Sequence, residues 1–142
     1  MRATTILLLA FLALVGPLRA AEPAAKRPME IADLFRFVRI ADPQLSPDGT
    51  LVVWQATTVI QESNGSSSSL WIAPADGSQA PRALTTVAGT TKDARPRWSP
   101  DGSRILFQSD RSGTSQLWTV PAAGGTPTRL TDVSTGAEDA VW

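Results

Sequence analysis

Apolar positions along the 142-residue chain change their spacing from one stretch to the next, and each spacing predicts a different element. Ile6 to Val15 is an unbroken apolar run preceded by Arg2. It ends at the helix breakers Gly16 and Pro17 and is followed by the small residue Ala20. A basic start, a short apolar core and a small residue form the pattern of a secretory signal peptide. The core is too short for a spanning helix, which needs about 20 apolar residues. Residues 1–20 are therefore expected to be a signal peptide cleaved after Ala20, which places the protein in the periplasm or outside the cell. Loss of Arg2 and Arg19 leaves the remainder slightly acidic. No cysteine follows the run, so no lipid anchor and no stable membrane anchor are expected after cleavage.

After a Pro/Ala/Lys/Arg linker, Ile31, Leu34, Phe35 and Val38 recur at i, i+3, i+4 and i+7, which predicts an amphipathic helix over Met29 to Ile40. Glu30 and Asp33 near its start and Arg36 and Arg39 near its end suit the helix dipole. Phe37 and Ile40 lie off the stripe, so the helix is expected to be covered on more than one side. Asp42-Pro43 closes it, because the residue before proline resists the helical region. Residues 21–41 thus form a linker and one short helix.

Beyond Asp42 the chain repeats itself. Pro43-Gln44-Leu45-Ser46-Pro47-Asp48-Gly49 returns as Pro96-Arg97-Trp98-Ser99-Pro100-Asp101-Gly102. Leu51 to Gln55 answers Arg104 to Gln108. Leu70-Trp71-Ile72-Ala73-Pro74 answers Leu117-Trp118-Thr119-Val120-Pro121, and Arg82-Ala83-Leu84-Thr85 answers Thr128-Arg129-Leu130-Thr131. The first copy carries a longer loop, Thr57 to Ser69, within which Ser66 to Ser69 are read as a flexible hairpin insertion. A third copy opens at Asp139 to Trp142, with Trp142 in the place of Trp98. Ser-Pro-Asp-Gly is turn chemistry: proline presets φ, aspartate bonds nearby backbone, and glycine accepts positive φ. Each unit reads as a four-stranded meander of about 45 residues, the signature of a propeller blade.

The expected fold is therefore all-β: a β-propeller with blade 1 at about 42–86, blade 2 at about 94–132 and the start of blade 3 at 137–142. A sandwich is the alternative, but it does not demand the same turn at the same place in each unit. All five tryptophans fall at repeat positions, which favours packing between blades over an aromatic ligand platform. Two blades and a first strand cannot close a ring, so the isolated chain is expected to aggregate through its open edge. The stop at Trp142, inside a strand motif, suggests a truncated reading frame.

Composition then removes whole classes of chemistry. The sequence has no Cys and no His, so it supplies neither a zinc site of the usual N/S type nor the base of a Ser-His-Asp triad. Thirteen basic against thirteen acidic residues give no cationic surface for nucleic acid. Asp48, Asp76, Asp101 and Asp110 are read as turn residues bonding their own backbone, since no calcium-loop spacing accompanies them. Gly124-Gly125 lacks the Lys-Ser/Thr of a phosphate loop. Arg95 and Arg97 beside Trp98 are read as a solvated rim. No catalytic, cofactor-binding or metal-binding residue is assigned, and no cofactor is expected.

The repeats, with their Pro47-Asp48 and Pro100-Asp101, resemble the WD40-like PD40 repeats. These are found in the Tol-system periplasmic propeller protein and in the propellers of prolyl oligopeptidase-family (S9) serine peptidases. A short helix running directly into the first blade, Ile31 to Phe35 through Asp42 to Gly49, resembles the opening of acylaminoacyl- and dipeptidyl-peptidase-like S9 enzymes. That resemblance implies an exported serine peptidase acting on short peptides, with the propeller controlling access. Its triad would lie in a C-terminal α/β-hydrolase domain, with serine in Gly-x-Ser-x-Gly, a motif missing here. No Glu-Glu pair, used by the dipeptidyl-peptidase branch to hold a substrate amine, occurs either. The rival reading is a non-catalytic Tol-like propeller that binds protein partners.

Overall fold

A computed structural model describes residues 27–142; the signal-peptide reading of residues 1–20 and the start of the linker lie outside the described residues. Two four-stranded antiparallel sheets follow one another along the chain. The first has the order β1 (Arg39–Leu45), β2 (Leu51–Ile60), β3 (Gly65–Pro74) and β4 (Arg82–Ala83). The second has the order β5 (Asp93–Trp98), β6 (Arg104–Ser109), β7 (Gln116–Pro121) and β8 (Thr128–Arg129). Consecutive strands pair with their sequence neighbours throughout, which is the meander of a propeller blade.

The repeated turns fold alike because their side chains satisfy the same backbone groups. In the first, the Asp48 carboxylate accepts from the Ser46 hydroxyl at 2.5 Å and from Thr50 N–H at 3.0 Å. Ser46 Oγ in turn accepts from Leu51 N–H at 2.9 Å. In the second, Asp101 accepts from Ser99 at 2.6 Å and Ser103 N–H at 3.0 Å, and Ser99 Oγ accepts from Arg104 N–H at 3.0 Å. Gly49 and Gly102 sit at φ of 74° and 71°, the left-handed region where glycine carries no steric cost.

Strand alternation then decides which side chains meet. Register places Val53 opposite Ile72 and Gln55 opposite Leu70 on one face of the first sheet. In the second, Ile105 faces Val120 and Phe107 faces Trp118. Val53, Leu70, Ile72, Leu84, Ile105, Phe107 and Val120 form one buried cluster, so the core lies between the two sheets. Trp98 and Trp118 pack against it. Trp54 and Trp71 pair with each other on the opposite face of the first sheet, where both are half-buried.

Two expectations need correction. The helix expected over Met29 to Ile40 is only a 3-10 turn at Ile31–Arg36, and Arg39 onward is strand. A twelve-residue helix is marginal alone, and none of this segment's residues is buried to support one. Pairing of Arg39, Ile40 and Ala41 with Thr57, Ala56 and Gln55 satisfies the backbone instead. Asp42 does not end a helix; it occupies a left-handed bulge, φ 49°, inside β1. The supposed loop Thr57 to Ser69 is mostly sheet, with β2 and β3 paired continuously to Ile60 and Gly65. Only the 3-10 turn Gln61–Ser63 and left-handed Asn64 form the tip. Threonine, valine and isoleucine on β2 favour the strand, and serine opposite them accepts it.

Candidate functional site at the inner strands

Neighbouring repeats meet at β1 and β5, and ion pairs cross from one repeat to the next along these strands. Each strand has a bulge at the same place, between Ala41 and Gln44 and between Ala94 and Arg97. The bulge residue is left-handed in every repeat: Asp42 at φ 49°, Arg95 at 53° and Asp139 at 57°. A bulge redirects a side chain out of the ladder. Here it sends charges across the seam. Arg97 Nη1 bonds Asp42 Oδ2 at 2.7 Å, and Arg95 pairs with Asp139.

An indole bond repeats beside these pairs. Trp98 Nε1 donates to the Gln44 carbonyl at 3.0 Å, and Trp142 Nε1 donates to the Arg97 carbonyl at 3.0 Å. Gln44 and Arg97 are equivalent repeat positions, as are Trp98 and Trp142. The residues Arg95, Arg97, Leu106, Gln108, Leu117 and Val141 line a cavity of about 180 Å³. By the repeat, Leu106 and Leu117 are the counterparts of Val53 and Leu70, which are buried against the next sheet. The cavity thus opens on a packing face. Arg95 and Arg97, read from sequence as a solvated rim, are both paired.

A second charged set lies inside the second sheet. Asp93 is fully buried and accepts from Arg111 Nη2 at 2.6 Å. Arg111 also reaches Ser109 Oγ from Nε at 3.0 Å and lies over the Phe107 and Trp118 rings, 5.4 and 5.1 Å from their centroids. Gln116, also fully buried, donates to the Val133 carbonyl at 2.6 Å and accepts from Thr131 Oγ1 at 2.7 Å. Sequence reading missed this set because its members are spread over some forty residues with no motif spacing. The one signal was the departure of Asp93, Ser109, Arg111 and Gln116 from Ile40, Ala56, Thr58 and Ser69 at the equivalent positions of the first repeat.

The turn aspartates do what turn residues do, with one exception. Hydrogen bonds from Ser99 first, then from Ser103, hold the Asp101 carboxyl down at about 2. Ser46 and then Thr50 lower Asp48, and Ser78 lowers Asp76. A carboxylate so held is anionic at neutral pH and is no general acid. Asp110 differs from expectation: its carboxylate accepts from Lys92 N–H at 2.8 Å, tying the β6–β7 tip to the approach of β5. Among the described residues no group of three or more Asp or Glu side chains comes together as metal ligands would. Gly124 and Gly125 take φ of 102° and 135° in the turn before β8. Ser66 to Ser69 lie on β3.

Comparison with known proteins places this architecture. Residues 27–142 match the family described as PD40, TolB beta propeller domain. An uncharacterized peptidase of Bacillus subtilis (strain 168), YuxL, is 34% identical over 111 residues, covering 78% of this chain and 16% of the relative. Among solved structures, the AtxE2 isopeptidase without ligand superposes with a TM-score of 0.61 at 22% identity, over 70% of this chain and 18% of that one. An acylaminoacyl peptidase from Pyrococcus horikoshii gives 0.54 at 25% identity, over 70% of this chain and 15% of that one. The chain spans less than a fifth of the length of each.

Proposed function

The chain belongs to the TolB beta propeller domain family and is related to S9 peptidases, and from that premise we propose that it is the N-terminal propeller portion of an exported S9-type serine peptidase that hydrolyses short peptides. The propeller does no bond chemistry. It covers the cleft of a hydrolase domain, so that folded proteins are kept out and short or unfolded peptides reach the serine. Acyl transfer, with histidine as base and backbone N–H groups as oxyanion hole, is the work of that other domain.

The observation that carries this reading is the peptidase relative at 34% identity along 78% of the chain. The apolar segment ahead of β1 supports it. Ile31, Leu34, Phe35 and Phe37 are 78%, 55%, 45% and 51% exposed. Such a run calls for a cover, and a second domain of the same polypeptide supplies one. The apolar run Ile6 to Val15 supports export.

The test is to read the coding DNA in frame past Trp142 and assay the complete polypeptide. Short chromogenic peptides are expected to be cleaved, with folded protein left intact, and Leu34→Glu is expected to loosen the domains and lower activity. Blades that close without a hydrolase domain, and no peptide hydrolysis, would overturn the peptidase reading in favour of a periplasmic Tol-like propeller binding protein partners.

A further inference from the structure

Three aspartates and one asparagine stand directly before a glycine: Asp48-Gly49, Asp76-Gly77, Asp101-Gly102 and Asn64-Gly65. Such pairs are open to one reaction of the main chain. Because glycine has no Cβ in the way, its nitrogen can swing onto the side-chain carbonyl of the residue before it and close a succinimide ring.

The aspartates are withdrawn from this chemistry by the turns they cap. Asp48 accepts from Ser46 and Thr50, Asp101 from Ser99 and Ser103, and Asp76 from Ser78 N–H at 2.9 Å. Those donors also hold all three carboxyls below their ordinary value, so they are ionised near neutral pH. An ionised carboxylate has no neutral group to expel, and its oxygens are fixed.

Asn64 is the one asparagine of the sequence and differs on each count. Its amide is neutral and can release ammonia. It is exposed at the tip of the β2–β3 hairpin, with φ at 47°, between the turn Gln61–Ser63 and β3. The side chain makes no hydrogen bond among the described residues; the main-chain N–H donates to the Gln61 carbonyl at 3.1 Å. Gly65 is fixed by packing, because a Cβ there would come within 2.9 Å of the Thr90 methyl group and 3.1 Å of Ser63 Oγ. The contact that seats the hairpin on the approach to β5 thus demands the glycine that makes the pair reactive.

We propose that Asn64 is a site of spontaneous covalent modification, converted through a succinimide to isoaspartate and aspartate. The Gly65 nitrogen gives up its proton to solvent base and forms a bond to Asn64 Cγ. The bond from Cγ to the amide nitrogen breaks and ammonia leaves. Water then adds to either ring carbonyl and reopens the ring. Attack at Cγ gives aspartate, and attack at the main-chain carbonyl carbon gives isoaspartate, whose chain runs through the side chain. Either product sets a new carboxylate beside the exposed Glu62. Isoaspartate also lengthens the main chain next to Gly65, where Thr90 leaves no room. The added length opens the Ile60–Gly65 pairing instead and loosens the hairpin tip.

The complete polypeptide is incubated in mildly alkaline buffer beside a synthetic peptide of the sequence Gln61–Ser69, then digested with trypsin. The fragment Ile40–Arg82 carries Asn64 and is expected to gain the mass difference between an amide and an acid, in two chromatographically separate products. Conversion is expected to run on the order of tenfold slower than in the peptide, because the paired tip must open first. Cleavage after Glu62 by a glutamate-specific protease is expected to be faster in the converted protein than in the Asn64→Gln variant, whose ring closes far more slowly. A folded protein that gains no mass while the peptide converts completely would overturn the proposal, since the hairpin then holds the Gly65 nitrogen away from Cγ. An equal gain in the Asn64→Gln variant would overturn it as well, by assigning the reaction to a glutamine of the same fragment.

Discussion

The first and second sheets share turns, strand order and register, yet fill equivalent positions with different chemistry. Where the second sheet buries Asp93, Ser109 and Gln116 and brings the partly exposed Arg111 onto Asp93, the first has Ile40, Ala56, Ser69 and Thr58. Asp93 is fully buried against Ser109, while Ile40, paired with Ala56 in the same register, is 67% exposed. The backbone tolerates this exchange because the Ser-Pro-Asp-Gly turns and the bulged inner strands are identical in both. Turn chemistry and alternation specify the blade. What fills the blade depends on what lies against it: the Phe107 face of the second sheet is packed on the first, while the Trp54 face of the first meets no other sheet among the described residues.

The sharpest way to break the comparison is to truncate the equivalent aromatic in each sheet. Phe107 is 1% exposed in the core, and Phe107→Ala is expected to cost about 3–5 kcal/mol. Trp54→Ala removes a larger but half-buried ring and is expected to cost about 1–2 kcal/mol. Urea unfolding of the complete polypeptide measures both. Equal losses would mean that the Trp54 face is as tightly covered as the core between the sheets.

A somewhat smaller effect tests the polar set. Arg111→Ala strips the partner from a fully buried carboxylate and uncovers two rings, an expected loss of about 3 kcal/mol. Grafting the first sheet's residues, Asp93→Ile together with Arg111→Thr, removes both charges at once and should recover most of that loss. A double variant no more stable than Arg111→Ala alone would show that Arg111 acts through packing and not as the counter-charge of Asp93.

Much of this was legible in the sequence, for definite reasons. Ser46 to Gly49 and Ser99 to Gly102 act within five residues, so their structure follows from local chemistry, and a repeated local motif exposes the architecture. The stripe Ile31, Leu34, Phe35 and Val38 misled because helical spacing in a short exposed segment competes with a partner that the stripe does not reveal, β2. The serines at 66–69 read as loop because strand propensity is weak where cross-strand pairing decides the outcome. The seam pairs Arg97–Asp42 and Arg95–Asp139 join residues more than forty apart through a left-handed bulge. Composition carries no trace of such a contact. The absence of a triad base, by contrast, was certain from the residue count alone.

The smallest expected effect lies where the sheets agree most. Asp48 and Asp101 cap equivalent turns, and both carboxyls lie below their ordinary value of 3.8, Asp101 at about 2. A carboxyl with a lower pKa in the folded chain adds stability above its unfolded pKa, and that contribution fades as pH falls through the folded one. The second turn should therefore weaken as pH falls from about 4 to about 2, and the first should weaken as pH falls below about 4. Asn at either site keeps an acceptor for the N–H at Thr50 or Ser103 but cannot titrate. Asp48→Asn and Asp101→Asn should each flatten the fall of the urea midpoint over this interval, and the two curves should run nearly parallel if the turns are equivalent. A flattening confined to one variant would show that the shared motif does not do the same work in both sheets, because what flanks each turn, and not the turn itself, sets how much of its charge the fold uses.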